Sequence, residues 1–409
     1  MSRLDELIQE YCPDGVNYRK LEDCCTVLDK KRKPVTKAAR EAGEYPYYGA
    51  NGIQDYVSDY IFDGTFVLVG EDGSVITKAG TPVVTWAEGK IWVNNHAHII
   101  EETDGVLLRY LFHYIQTIDV TPLIHGNIPK LTGGDFRALQ IPVPPLPVQS
   151  EIVRILDNFT ELTAELTAEL TARKKQYEYY RDKLLTCDDN IAVKRIGDIT
   201  RVFSASRVHK DEWTTEGVPF YRSSDVISYF NGVENSRGKA YISKELYEKL
   251  SAKSGKICKD DILITGGGTI GVPYIVPNDD PIYMKDADLL CIQHSKEFDS
   301  RYLYHYFLST LFRDYLKGIT HDATIPHYTI SQICETPVPL PTLDVQKRIV
   351  NVLDNFDAIC SDLKIGLPAE IEARQKQYEF YRDTLLTYAA TGKTILTDRQ
   401  TDRQTDRRV

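Results

Sequence analysis

The chain has 409 residues, 42% of them hydrophobic, and carries 49 basic against 59 acidic side chains for a formal net charge of −10. That is enough apolar material for more than one core, so two or three domains are predicted. The acidic balance argues against a free-standing electrostatic binder of nucleic acid: 14 basic side chains meet 20 acidic ones in 1–147, and 18 meet 21 in 188–343, so if nucleic acid is the partner, local patches must do the positioning and other subunits must supply much of the phosphate affinity.

Residues 1–12 predict a short helix, ended by the turn signal Cys12-Pro13-Asp14-Gly15. The first residues lack a basic segment followed by an apolar one, and no run of about 18 apolar residues occurs anywhere, so neither a signal peptide nor a membrane span is expected. Eight cysteines without a C-x-x-C pair fit neither a zinc site nor a disulfide framework and point to a reducing, cytoplasmic setting. From Tyr18-Arg19-Lys20-Leu21-Glu22-Asp23 a strand-rich domain begins, and its features return later in the chain. Val193-Lys194-Arg195-Ile196-Gly197-Asp198 answers that opening, and Val218-Pro219-Phe220-Tyr221 answers Tyr45-Pro46-Tyr47-Tyr48. The apolar strand Asp261–Gly266 answers Thr65–Gly70. Arg301-Tyr302-Leu303-Tyr304-His305-Tyr306 answers Arg109-Tyr110-Leu111-Phe112-His113-Tyr114, on a predicted helix. Ile325-Pro326 answers Ile128-Pro129.

Each domain closes with a proline-rich connector, Ile141–Pro145 and Val338–Pro341, followed by a long helix-forming run. Residues 141–159 match 338–356 at 11 of 19 positions, and 172–186 match 373–387 at 12 of 15. Such repetition means an internal duplication. In the first run Ile152, Leu156, Phe159, Leu162, Leu166, Leu170, Tyr177, Tyr180 and Leu184 recur at spacings of three and four, one stripe of a helix roughly 55 Å long. The partner stripe is Ile349, Leu353, Phe356, Leu363, Ile371, Tyr378, Tyr381 and Leu385. The offset between the copies changes by four residues, about one turn, the size of a coiled-coil stutter. The first copy holds two Thr-Ala-Glu-Leu tetrads there, 163–166 and 167–170; the second holds Gly366-Leu367-Pro368, where the helix should break and restart with Pro368 in its first turn. The tail, 391–409, repeats Thr-Asp-Arg-Gln without apolar residues and is expected to be disordered and without a role in binding.

Catalytic signatures are missing. No Asn/Asp-Pro-Pro-Tyr/Phe string of an adenine-N6 methyltransferase occurs. Gly392-Lys393-Thr394 has Thr387 where a phosphate loop needs glycine. Gly266-Gly267-Gly268 reads as a tight turn. His96-Ala97-His98 is set against Asp286-Ala287-Asp288 of the other half and is not expected to bind metal. Asp72, Glu88 and Lys90 resemble a Mg²⁺-nuclease set but have no counterpart in the second half. Catalytic and metal-binding residues are therefore expected to be absent.

The framework repeats whereas the loops diverge, which suits two readers of different targets on one scaffold. Loop residues able to contact phosphates or base edges are Lys31, Arg32, Lys33, Tyr47, Asn51, Lys78, His125, Asn127, Lys130 and Arg137 in the first domain. In the second they are Arg207, Arg222, Ser223, Arg237, Thr265, Lys285, His321 and His327.

The order of domain, Pro-Leu-Pro-x-x-x-Gln connector and Leu-Asp-Asn-Phe helix ending Lys-Gln-Tyr-Glu-Tyr-Tyr-Arg-Asp-Lys-Leu-Leu, repeated once, resembles the specificity (S, or HsdS) subunit of type I restriction–modification systems. The Thr-Ala-Glu-Leu tetrads are similar to those of the type IC branch. The resemblance covers about 1–390 and implies an α+β fold. It places target recognition domains at 1–147 and 188–343, and conserved helices at 148–187 and 344–390 that pair as an antiparallel coiled coil. It further implies a bipartite, asymmetric site in double-stranded DNA, two modification (methyltransferase) subunits that bind S-adenosylmethionine, and restriction subunits in the full complex. This chain itself would hold no cofactor and do no catalysis. Two other classes compete: a stand-alone coiled-coil adapter, which gives no reason for two diverged domains, and a self-contained Mg-dependent nuclease, which needs convergent carboxylates in both halves.

Overall fold

Strand Phe62–Gly70 is buried along its second half because it has apolar neighbours on both faces, which is why Phe66–Val69 reads as a continuous apolar run. The computed structural model describes residues 3–391 except Ser74, 125–128, 187–190, Glu234, Ser236, Arg237, 321–326 and 363–364. Expectations for His125, Asn127, Arg237, His321, Leu363 and the tail beyond Thr391 lie outside the described residues. The chain divides into two compact units, Met1–Glu165 with Ile371–Val409 and Leu166–Glu370.

In the first unit a six-stranded sheet runs in the order Thr26–Val27, Ala97–Glu101, Phe62–Gly70, Val84–Val93, Ala42–Gly49, Gly52–Val57. All neighbours are antiparallel except Ala42–Gly49 and Val84–Val93, which run parallel. Val67, Val69 and Ile100 pack into one core with Tyr110, Leu111 and Ile115 of helix Leu108–Ile115, while Phe66, Leu68 and Ile99 meet Ile91 and Val93 on the opposite face.

The second unit repeats the central part of this plan, but its long strand is broken. Ile262–Thr265 lies between Leu289–Ile292 and Pro273–Ile275 in one four-stranded sheet, and Val218–Tyr221 runs parallel to Tyr283–Met284 in another. The long strand Val84–Val93 of the first unit serves both neighbours at once. Its counterpart is cut into Pro273–Ile275 and Tyr283–Met284 by Pro277-Asn278-Asp279-Asp280-Pro281, residues that lack ladder donors or favour turns. Register corrects two of the sequence equivalences. Gly70 sits opposite Ala97 as Thr265 sits opposite Leu289, so Gly70 matches Thr265 rather than Gly266. His96 is then level with Asp288 and His98 with Leu290, not with 286 and 288.

Each strand-rich domain is closed by a two-stranded ladder, Tyr18–Lys20 with Gln140–Pro142 and Val193–Arg195 with Pro337–Pro339, as the matching segments predict. The connector after each ladder leads into a helix, Leu146–Leu185 in the first copy. In the second copy helix Leu343–Ser361 ends, and a new helix, Leu367–Thr391, starts with Pro368 in its first turn.

Helix pairing is antiparallel within each unit taken by itself. In the first, Glu151 pairs with Arg3 and Tyr388 hydrogen-bonds the neighbouring Asp5, while Phe159 stacks on Tyr381. In the second, Tyr180 stacks on Phe356 and Cys360 lies within reach of the charge on Lys174. Of the expected stripe, Ile152, Leu156, Tyr177, Ile349, Leu353 and Tyr378 are buried, Phe159, Leu184, Phe356 and Leu385 pack against the cores as partly buried residues, and Tyr180 and Tyr381 are exposed. Leu166 and Leu170 are half-buried. Each compact unit takes one strand-rich domain and a portion of both helix copies.

Candidate nucleic-acid interface

Described parts of the divergent loops meet in each unit where the central strand of the sheet ends. In the first unit Asp72 bridges Lys130, the Leu131 N–H donates to the Glu71 carbonyl and the Glu71 N–H donates to the His96 carbonyl. In the second, Gly267 bridges His327, the Tyr328 N–H donates to Gly266 and the Gly266 N–H donates to the Asp288 carbonyl. Lys130 and His327 are thus equivalent positions, as the Pro129 and Pro326 matching implies. Gly266 is required by this crowding, because a Cβ there would stand 2.9 Å from the Tyr328 carbonyl oxygen and 3.0 Å from that of Ala287. Gly268 takes φ +74°, a turn conformation suited to glycine.

The structure divides the expected contact residues into two groups. Lys31, Lys33, Asn51, Lys78, Lys130, Arg207 and His327 are exposed, with Arg137 and Lys285 half-buried. Lys130 Nζ also lies 3.3 Å from Glu71, and Lys285 pairs with Asp288. The others are engaged inside the domains, which corrects their expected role. Tyr47 is 1% exposed; its hydroxyl donates to the Val35 carbonyl and accepts from the Val35 N–H. Thr265 is fully buried, with Oγ1 donating to Thr269 O at 2.6 Å and accepting from Val272 N–H at 2.9 Å. Arg222 is held by Asp225, Nε to Oδ2 at 2.8 Å, at the start of helix Ser223–Phe230, and the Ser223 hydroxyl donates to the Asp288 carbonyl at 2.7 Å. Arg32 donates to Glu71 and to the Ala97 carbonyl, both at 2.6 Å.

Arg32 belongs to a network behind this edge. Asp29, Glu71 and His98 bring ligand-type atoms within 4.8 Å of one another. His98, buried and stacked on Phe136 at 4.2 Å, faces Asp29 through Nδ1 at 2.7 Å and the Leu131 carbonyl through Nε2 at 3.0 Å. Burial pushes the Asp29 carboxyl up, but hydrogen bonds from His98 and Ile99 and the charges of His98 and Arg32 outweigh it and leave Asp29 below the usual carboxylate range. Since both ring nitrogens and the carboxylates already have protein partners, the cluster ties loops 29–32, 71 and 131 together. The other suspected set is dispersed: Asp72 bonds His96, Glu88 accepts from the Trp86 indole, and Lys90 lies over the Tyr60 ring.

A second set of polar residues, missed by sequence reasoning, fastens each strand-rich domain to the helices, and its central contacts repeat in both units. On helix Leu108–Ile115, Arg109 Nε donates to Asp157 Oδ1 at 2.7 Å, and His113 Nε2 reaches the same oxygen at 2.8 Å. His113 Nδ1 meets the Tyr378 hydroxyl at 2.9 Å. On helix Ser300–Leu308, Arg301 Nε donates to Asp354 Oδ1 at 2.9 Å, His305 Nε2 reaches it at 2.7 Å, and His305 Nδ1 meets the Tyr177 hydroxyl at 2.9 Å. A carboxylate can only accept, so Nε2 carries the ring proton and Nδ1 accepts from tyrosine. Both histidines are fully buried, and burial lowers their pKa against the pull of the carboxylates. Arg382 and Arg181 lie over the rings of Tyr378 and Tyr177 at 5.5 and 5.4 Å. Gln149 and Gln346 repeat as well: each accepts from one domain N–H, of Leu107 or Asp299, and donates to the carbonyl of Pro144 or Pro341 in its connector. The repeated Arg-x-x-x-His, Leu-Asp-Asn-Phe and Gln-Tyr-Glu strings were the signal for these contacts.

The family model described as "Type I restriction modification DNA specificity domain" matches residues 13–173 and 188–373, the two copies of this framework. A putative type I restriction enzyme specificity subunit of Haemophilus influenzae is 37% identical over 385 residues, covering 91% of this chain and 96% of that one. The EcoR124I/EcoR124II specificity subunit of Escherichia coli is 30% identical over 307 residues, 70% of this chain and 72% of that one. In fold, the S subunit of a type I restriction–modification system from M. genitalium superposes with a TM-score of 0.52 at 16% identity, over 93% of this chain and 98% of that one. The duplicated framework, matched over both halves, makes this chain a member of the type I restriction–modification DNA specificity family.

Proposed function

We propose that the chain is the DNA-specificity subunit of a type I restriction–modification enzyme. Each recognition domain reads one half of a bipartite, asymmetric site through its divergent sheet-edge loops, and the paired helices set the separation of the half-sites. The observation that carries this reading is the contrast between the halves: the Arg Nε and His Nε2 contacts to aspartate and the His Nδ1 contact to tyrosine repeat in both domain-to-helix fastenings, whereas the exposed edge residues differ. A repeated fastening with changed edges suits one geometry applied to two sequences.

Catalysis is supplied by partners in this reading. Two methyltransferase subunits, each binding S-adenosylmethionine, dock on the specificity subunit and modify adenine after flipping it from the duplex, and restriction subunits complete the complex. The chain acts in the cytoplasm. Among the described residues no helix is long and apolar enough to cross a membrane. Purified chain, tested alone and with its methyltransferase partner, decides the matter. Adenine methylation at one bipartite motif, only when both are present, is the expected result; activity of the chain alone overturns it.

A further inference from the structure

Each recognition domain is fastened by a tyrosine that belongs, in chain order, to the other half of the duplication. Asp157 follows the first domain and Asp354 the second, so the Arg/His-to-Asp contacts stay within one half. The tyrosines do not. Tyr378, from the second copy of the Gln-Tyr-Glu segment, closes on His113 of the first domain, across 265 residues of sequence. Tyr177, from the first copy, closes on His305 of the second.

We propose, resting on the function above, that Tyr378 and Tyr177 are crossed positioning residues for sequence reading: Tyr378 seats the first recognition domain and Tyr177 the second. Each hydroxyl supplies the donor to a buried Nδ1, so its removal leaves an unpaired acceptor and frees the histidine to turn. The histidine sits on a helix whose other contacts lead to the sheet edge. In the first unit Phe112 packs edge-on to Trp86 at 5.7 Å, and Trp86 pairs with Val67 of the strand Phe62–Gly70, which runs on into Glu71. In the second, Phe307 packs on Phe312 at 4.9 Å and Phe312 on Tyr328 at 5.8 Å, next to His327. Tilting the helix therefore moves the reading edge of that domain.

The test uses the full chain with its cognate methyltransferase subunit. Initial rates of adenine methylation are measured on a duplex with the full site and on duplexes carrying one base change in either half-site, after exchange of 188–343 has shown which half-site each domain reads. Tyr378→Phe is expected to reduce discrimination about fivefold to tenfold, the size of one net buried hydrogen bond, in the half-site read by 1–147, leaving the other half-site as strict as before. Tyr177→Phe is expected to do the reverse. Relaxation of both half-sites alike, of the half-site matching the tyrosine's own copy, or of neither overturns the proposal. Amide hydrogen exchange on the same variants tests the fastening without DNA. Tyr378→Phe should speed exchange in 108–115 and not in 300–308, and any other pattern counts against it. If the unsubstituted chain supports no methylation, the specificity-subunit reading fails, while the exchange experiment still judges the crossed tyrosines.

Discussion

Phe159 stacks on Tyr381 with ring centroids 5.1 Å apart and planes 21° from parallel, and Tyr180 repeats the contact with Phe356 at 5.6 Å and 20°. Each pair joins the Leu-Asp-Asn-Phe segment of one copy to the Tyr-Arg-Asp segment of the other. Offset stacks of this kind contribute about 1 kcal/mol beyond the area they bury. A double-mutant cycle of Phe159→Ala and Tyr381→Ala, read by urea denaturation, is expected to give a coupling of about 1 kcal/mol, with each single variant less stable by about 2 kcal/mol. A coupling near zero would mean that the helices are held by other contacts.

The tetrads 163–166 and 167–170 lie between Asp157 and Tyr177 on one continuous helix, outside both fastenings. Deleting Thr167–Leu170 removes about 6 Å of rise and about 40° of rotation while leaving every fastening residue in place. Methylome sequencing of cells carrying the deletion should show a changed spacer between unchanged half-sites. An unaltered spacer would dissociate the helix length from the site geometry.

Much of this architecture was legible because duplication shows up as identity: near-identical helix runs keep near-identical packing partners, so spacing gave the stripe that holds Leu156 and Phe159 and the repeat gave its pairing with the later copy. The crossed fastening was not legible, because His113 and Tyr378 sit in separate motifs whose meeting depends on the antiparallel direction of the helices. Loop chemistry misled for a different reason. Arg222, Tyr47 and Thr265 are residue types that contact nucleic acid, yet Asp225 lies one helical turn from Arg222, and backbone groups of Val35, Thr269 and Val272 satisfy the other two. Residue type indicates what a side chain can bond, while burial decides what remains free to bond DNA.

The exposed lysines give the sheet-edge interface its own test. If Lys31 and Lys33 contact phosphates, replacing both with alanine weakens binding by the assembled complex on every sequence alike. It also lowers the slope of log affinity against log salt by about 0.9 for each phosphate left without its lysine. Tyr47→Phe, which alters a buried hydroxyl, should leave that slope unchanged and cost about 1 kcal/mol in stability. Filter binding or fluorescence anisotropy across a salt series separates the two classes, and equal slopes for the lysine variant and the unsubstituted complex would place the phosphates elsewhere.

The fastenings also predict how stability responds to acid. Burial holds His113 and His305 below the ordinary histidine value, so in the folded chain they stay neutral at a pH where the unfolded chain protonates them. Their contribution is complete above about pH 6.5 and is lost as pH falls below it. Asp157 and Asp354 act in the same direction at lower pH: burial raises them, but hydrogen bonds from His113 or His305, together with those from Arg109 or Arg301, outweigh that and keep both carboxyls depressed. Their stabilisation is present above about pH 4 and is lost as pH falls through the folded value. Urea midpoints should therefore decline steadily from pH 7.5 to pH 5. In His113→Gln with His305→Gln the chain should be less stable at pH 7.5, and the decline over that interval should be shallower, because the groups that take up protons on unfolding have been removed. A parallel decline in the variant would assign the acid response to groups outside the fastenings.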